Sequence, residues 1–200
     1  MPNDKKSDAR IYQLKVSLQG ARPPIWRRFQ TWGNITLHDL HLMIQAVMGW
    51  WNYHLYAFRI DARSYEAPSD DFESLFPNAP QDAGKTLLKD VVQEEGRKFT
   101  YTYDFGDNWV HTVVVEKITQ AEDGVEYPIC LAGRRACPPE DFGGLWAYQA
   151  IIDQWAREGE LDSDTLAWLE DRFEEAFDPV KFDLRAARRR LSNLRQMELD

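Results

Sequence analysis

The chain has 200 residues, 44% apolar and 13% aromatic, which is enough to bury one substantial core and excludes a disordered polypeptide. No apolar run approaches the roughly 20 residues of a membrane span; the most apolar window, residues 42–51, is short and broken by Gln45, so no membrane partner is expected. The net charge of −9 is unevenly spread, with eight Lys or Arg against three Asp or Glu over residues 1–60, ten against 27 over 61–180, and six against three over 181–200.

The first nine residues are polar and charged, without the apolar segment of a secretory leader, and are expected to be a flexible terminus ahead of one domain over 10–200 in a cytoplasmic protein. Residues 11–18 (IYQLKVSL) alternate apolar and polar side chains, the pattern of a half-buried strand. A turn over 20–24 leads into a second strand over 25–32, close enough to pair antiparallel with the first. Thr36 is placed to cap a helix, with Asp39 in the capping-box position, apolar residues at 37, 40, 44, 47 and 48, and Gly49 at its end. His38 and His41 on this helix read as a solvated face, a shared metal being the alternative. Residues 54–60 are strand-like, 67–84 read as a surface loop, and 86–92 as one or two helical turns.

Phe99, Tyr101 and Tyr103 share one face of a further strand, and residues 109–118 form the most β-branched strand in the chain. Between them DFGDN has the composition of a hairpin turn, with Gly106 free to take positive φ. From about residue 140 the period becomes helical. Phe142, Leu145, Trp146, Gln149, Ile152 and Trp155 line one helix, Leu166, Leu169, Phe173 and Phe177 a second, and Leu184, Ala187, Leu191 and Leu194 a third. Strands first and helices last predict an α+β fold: an antiparallel sheet of about five strands packed with helices, ending in a C-terminal helical segment.

Two runs concentrate the chemistry, YDFGDNWVH over 103–111 and CLAGRRACPPEDFGGLWAY over 130–148. If they meet, Asp107, His111, Glu140 and Cys137 are candidate ligands of a divalent metal, with Asp104 a candidate base; Trp109, Arg134, Arg135 and Asp141 would line a binding cleft. The alternative at each position is structural. Asp and Asn in a glycine turn hold backbone amides, His111 shares a face with Trp109, Val113 and Val115, and acids after prolines complement a helix start. Cys130 and Cys137 are spaced too widely for a zinc knuckle and read first as inert thiols in a reducing compartment. Arg134 and Arg135 read first as ion-pair partners of Asp104 or Asp107. Gly143 and Gly144 call for the close approach of another backbone or a ligand, because a helix interior disfavours each by about 1 kcal/mol. His54 has no reading of its own. Phosphate-binding and nucleophile-elbow motifs are absent, and the Asp104-Phe105-Gly106 tripeptide lacks the other signatures of a kinase. An acidic middle repels phosphate, so a nucleic-acid contact would fall to the basic ends, with Arg185, Arg188 and Arg189 as candidates.

PPIWRRF at 23–29, a helix ending in Gly49-Trp50, His54 with Phe58, YDFGDNWVH, and GRRACPPEDFGG at 133–144 together resemble the Ri-plasmid ORF-three-like family over about residues 10–195. The resemblance implies an α+β domain found in bacteria, archaea and mobile elements, with relatives labelled as an insertion-element resolvase and no established reaction. The resemblance implies cysteine in many relatives where Phe142 stands and glycine where Ala147 stands, so the missing thiol favours a structural role for Cys130 and Cys137. The architecture of a serine recombinase is not matched, because Ser17 is followed by a proline turn and a strand instead of a helix. The reading that results is a non-catalytic binding module associated with plasmids or mobile DNA, with a nucleic acid or a protein as partner. The alternatives are a metal-dependent hydrolase or nuclease and a structural interaction domain.

Overall fold

The computed structural model describes residues 10–67, 79–170 and 178–197. Strand β1 (Arg10–Leu18) turns back into β2 (Trp26–Trp32), which leads to helix α1 (Leu37–Met48). Strands β3 (Tyr56–Ile60), β4 (Arg63–Glu66) and β5 (Gln81–Asp82), the single-turn α2 (Leu88–Val91), and strands β6 (Lys98–Tyr103), β7 (Trp109–Gln120) and β8 (Ile129–Arg134) follow. Helices α3 (Gly144–Glu158), α4 (Ser163–Glu170) and α5 (Leu184–Met197) complete the order. The strands form one sheet, β5-β4-β3-β6-β7-β1-β2-β8.

The sheet is larger than the five strands expected, and it is mixed, because β4 and β5 run parallel. The added strands were hard to see locally. β5 has two residues, and β4 and β8 carry little apolar alternation, so their register comes from neighbours more than from their own side chains. Phe173 and Phe177 lie outside the described residues. Trp146, assigned to an apolar face, is 91% exposed, while Tyr148 and Ile152 carry the buried side of α3.

Period-two alternation decides which sheet face is covered. Leu14, Val16 and Leu18 of β1, Phe99, Tyr101 and Tyr103 of β6, and Val113 and Val115 of β7 are buried on the same side. Helix α1 lies on that side, starting in a complete capping box: Asp39 N–H donates to Thr36 Oγ1 at 3.0 Å and Thr36 N–H to Asp39 Oδ2 at 2.8 Å. It ends at Gly49 with φ of 96°. Leu40, Ile44 and Val47 are fully buried, each contributing about 1.5–3 kcal/mol. Helix α5 packs beside α1, and Arg190 Nε donates to the Ala46 carbonyl at 2.7 Å. Beneath both, the buried Arg27 donates to the carbonyls of Val47, Trp26 and Arg134 and lies 4.3 Å from the Phe182 ring centroid.

Candidate functional site

Tyr103 and Trp109 are register partners, so β6 and β7 are joined by a five-residue turn over 104–108. Asp104 and Asn108 hold the left-handed conformations, at φ of 54° and 55°, in place of the expected Gly106. Asp104 Oδ1 accepts from the amides of Gly106 at 2.9 Å and Asp107 at 3.3 Å. A Cβ on Gly106 would stand 3.2 Å from that oxygen, tighter than an ordinary contact, so a side chain there would press on the acceptor of the turn.

The second run does meet this turn. Gly143 N–H donates to Asp107 Oδ2 at 3.0 Å, and a Cβ on Gly144 would lie 2.9 Å from the Asp107 carbonyl. Both glycines have positive φ, at 86° and 80°, but the close backbone approach is made at Gly144 alone, since a Cβ on Gly143 would meet only Ala147 Cβ at 3.6 Å. Trp50 Nε1 donates to the Pro138 carbonyl at 2.8 Å, and Glu140 accepts from the Trp51 amide at 2.9 Å and from the Tyr103 hydroxyl. Helix α3 therefore begins at Gly144, and Glu140 and Asp141 belong to the turn ahead of it.

A third segment, residues 50–55, closes the rim. The Tyr103 hydroxyl accepts from the amides of Tyr53 at 3.0 Å and His54 at 3.3 Å, and the Leu55 carbonyl accepts from Asp104 N–H at 2.9 Å. Below, His41 contacts Asn52 Oδ1 through Nε2 at 2.7 Å and the Tyr101 hydroxyl through Nδ1 at 2.8 Å. The amide oxygen only accepts, so Nε2 carries the hydrogen and Nδ1 accepts from Tyr101, whose oxygen accepts in turn from Gln45. Burial drives His41 down to about 3, consistent with this neutral form. His41 is thus a core histidine and not part of a solvated face.

These three segments bring His54, Asp104 and Asp141 together. His54 Nε2 lies 3.0 Å from Asp141 Oδ1 and 3.7 Å from Asp104 Oδ2. One donor atom from each residue falls within 4.8 Å of the others, and no other such group of three occurs among the described residues. Around them Trp51, Tyr53, Leu55 and Phe105 expose large apolar side chains.

Family comparison adds membership to this geometry: residues 10–186 match the family described as plasmid pRiA4b ORF-3-like protein. The chain belongs to that family. A relative, the uncharacterized protein y4hQ of Sinorhizobium fredii (strain NBRC 101917 / NGR234), is 38% identical over 162 residues, covering 80% of this chain and 81% of that protein. The crystal structure of a protein of unknown function, MM3350 from Methanosarcina mazei Go1, aligns with a TM-score of 0.77 at 40% identity, covering 90% of this chain and 98% of that one.

In this ORF-3-like chain the residues singled out from sequence have different surroundings. Trp109 and His111 are fully buried beneath the rim, and burial lowers His111 to about 4. Cys137 is buried, its thiol pushed up to about 12 by loss of solvent, and both cysteines are unbridged. Asp107 and Glu140 are committed to the backbone and hydroxyl contacts above. Arg134 is exposed at the end of β8 and Arg135 takes φ of 68°; among the described residues neither pairs with Asp104 or Asp107. The basic candidates are divided. Arg188 Nε donates to the Cys130 carbonyl at 2.9 Å with Arg185 and Arg189 exposed on α5, whereas Arg28 faces away on the other side of the sheet, bonded to Glu116. His54 carries no local signal in the sequence, because its partners lie 50 and 87 positions further along the chain. No helix among the described residues is long and apolar enough to cross a membrane.

Proposed function

We propose that this chain is a non-catalytic, cytoplasmic binding module that takes an apolar segment of a partner protein on the rim built from residues 50–55, 104–108 and 137–144. The observation that carries the reading is the exposure of Trp51, Tyr53, Leu55 and Phe105, between 52% and 74%, beside backbone amides held by Tyr103 and Glu140 and the Asn52 side chain held by His41. Covering such side chains releases about 1.5–3 kcal/mol each. Aromatic side chains on ordered backbone also lose little conformational freedom on binding. Charge selects the occupant. Asp104, Asp107, Glu140 and Asp141 line the same rim without a Lys or Arg ion-pair partner among the described residues, so a phosphate backbone is repelled and a protein segment is accepted. Any association with plasmids or mobile DNA then runs through a protein of those systems and not through contact with the duplex.

A display library of short peptides, with hits quantified by calorimetric titration of the full chain, tests the reading. Saturable binding is expected, weakened about tenfold or more by Trp51→Ala combined with Phe105→Ala, with Tm unchanged because both side chains face water. Peptide binding that the double variant leaves intact overturns it. So does salt-sensitive binding of short DNA or RNA with no peptide bound.

A further inference from the structure

We infer that His54, Asp104 and Asp141 bind one divalent transition-metal ion, through His54 Nε2, Asp104 Oδ2 and Asp141 Oδ1. This goes beyond the peptide rim and stands whether or not that rim takes a protein. Three observations carry it together.

The first is spacing. Bonds of about 2.1 Å place neighbouring ligand atoms about 3.0 Å apart at right angles and about 3.4 Å apart in a tetrahedron. His54 Nε2 stands 3.0 and 3.7 Å from the two carboxylate oxygens.

The second is the state of the imidazole nitrogen. His54 Nε2 is sealed from solvent and has no hydrogen-bond partner, even though two carboxylates are beside it. An imidazolium serving as an ordinary ion-pair donor would direct its N–H along the ring plane to one of them. Here the oxygens lie to the side of that direction, as ligands do when a nitrogen lone pair points to a common centre.

The third is Asp104. Its side chain is 10% exposed, Oδ1 is taken up by the Gly106 and Asp107 amides, and Oδ2 has no hydrogen bond among the described residues while it faces His54. A carboxylate oxygen of a largely buried side chain, turned toward an unpaired nitrogen, is the arrangement that a cation between them would satisfy. The amides on Oδ1 orient the ligand as outer-shell groups do in metal sites. Asp141 is held by its neighbours, with Glu140 on the Trp51 amide and Gly143 on Asp107.

The donor set names the metal class. One imidazole with two carboxylates suits Zn²⁺, Mn²⁺ or Fe²⁺, whereas Mg²⁺ and Ca²⁺ prefer oxygen alone and soft ions require thiols. The Asp141 side chain is 68% exposed, which gives an entry path, and three protein ligands leave further coordination positions open.

The test uses the full chain, stripped with chelator and desalted, titrated calorimetrically with Zn²⁺ alone. One equivalent is expected to bind and to raise Tm as the ion is added. Asp141→Asn keeps a side chain that tolerates positive φ, and His54→Ala removes the nitrogen; each is expected to weaken Zn²⁺ at least tenfold while Tm of the stripped protein moves little. Glu158→Gln, on the exposed end of α3, should leave affinity unchanged. Absence of a saturable signal up to about 100 μM Zn²⁺ overturns the inference. Binding that both ligand variants leave intact also overturns it.

Discussion

His111→Phe tests whether the histidine of the diagnostic run is a core residue or a ligand. His111 is fully buried in β7, its ring edge-on to Trp50 with centroids 5.4 Å apart; among the described residues neither ring nitrogen has a well-aligned hydrogen bond, only weak contacts with the Tyr101 and Trp109 backbone that partly oppose the effect of burial. Burial lowers it to about 4, with Arg27 acting in the same direction. In the unfolded chain an imidazole titrates near its ordinary value of about 6.5. Above that, both states are neutral and pH has no effect through this residue. Below it, the unfolded chain binds a proton that the folded one refuses until about 4, so stability falls as pH drops through this window. At pH 5, about 1.5 pH units below 6.5, the loss is about 2 kcal/mol. His41 adds its own loss over a window reaching about 3, but it is present in both proteins and cancels. At pH 8 the variant gains from removing buried nitrogens that lack a well-aligned hydrogen bond, about 1–3 kcal/mol, and loses a similar amount to the larger ring. The informative quantity is therefore the change in the variant-minus-wild-type difference. Urea unfolding at pH 8 and pH 5 should show the variant gaining about 2 kcal/mol relative to wild type. A difference constant to within about 0.5 kcal/mol would refute a buried neutral histidine.

Gly144→Ala should cost about 1–3 kcal/mol, because the new Cβ meets the Asp107 carbonyl at 2.9 Å and the residue sits at φ of 80°. Gly159→Ala, at φ of 74° with nothing within 4 Å, carries only the conformational part, about 1 kcal/mol, so thermal melts should rank the two in that order. Cys130 and Cys137 should both resist a thiol-specific disulfide reagent in the native protein and react in denaturant, because burial raises each thiol, Cys137 to about 12. Rapid native labelling of Cys137 would mean that the 137–144 turn opens.

The parts of this fold that were legible in the sequence are those whose signal is local. The alternation of residues 11–18, the Thr36 and Asp39 capping box and the Gly49 terminus each act within a few residues, and the structure places β1 and α1 accordingly. The meeting of DFGDN with CPPED was legible only as a condition, since the paired glycines at 143 and 144 called for another backbone or a ligand, and the structure supplies the Asp107 backbone at Gly144. The rest depends on tertiary placement. Strands β4, β5 and β8 are short or poorly alternating and are ordered by neighbours. His54 looks featureless until chain topology brings Asp104 and Asp141 to it. His111, in contrast, sits in a motif dense with ligand types, but it shares a strand face with Trp109, Val113 and Val115, and the inward register of β7 buries that face.

Tyr103 is the residue through which core and rim are coupled. Its ring stacks on Trp50 with centroids 5.0 Å apart, while its hydroxyl, raised well above the ordinary tyrosine range by burial and then by Glu140, donates to Glu140 and accepts the amides of Tyr53 and His54. Tyr103→Phe keeps the stacked ring and removes only the oxygen. The two amides and the carboxylate then lose a partner, but Tyr53 is 74% exposed, so water can replace part of what is lost. Global stability should fall by only about 1–3 kcal/mol, with the sheet and α1 intact. Amide exchange at Tyr53 and His54 should accelerate about tenfold or more, because their protection rests on that one acceptor. Ligand affinity at the rim should fall with it, since a segment already in place becomes one that binding must order. Unchanged exchange at Tyr53 and His54 in the variant would mean that the rim is held by something other than this hydroxyl, and the rigidity on which the proposed binding surface depends would need another source.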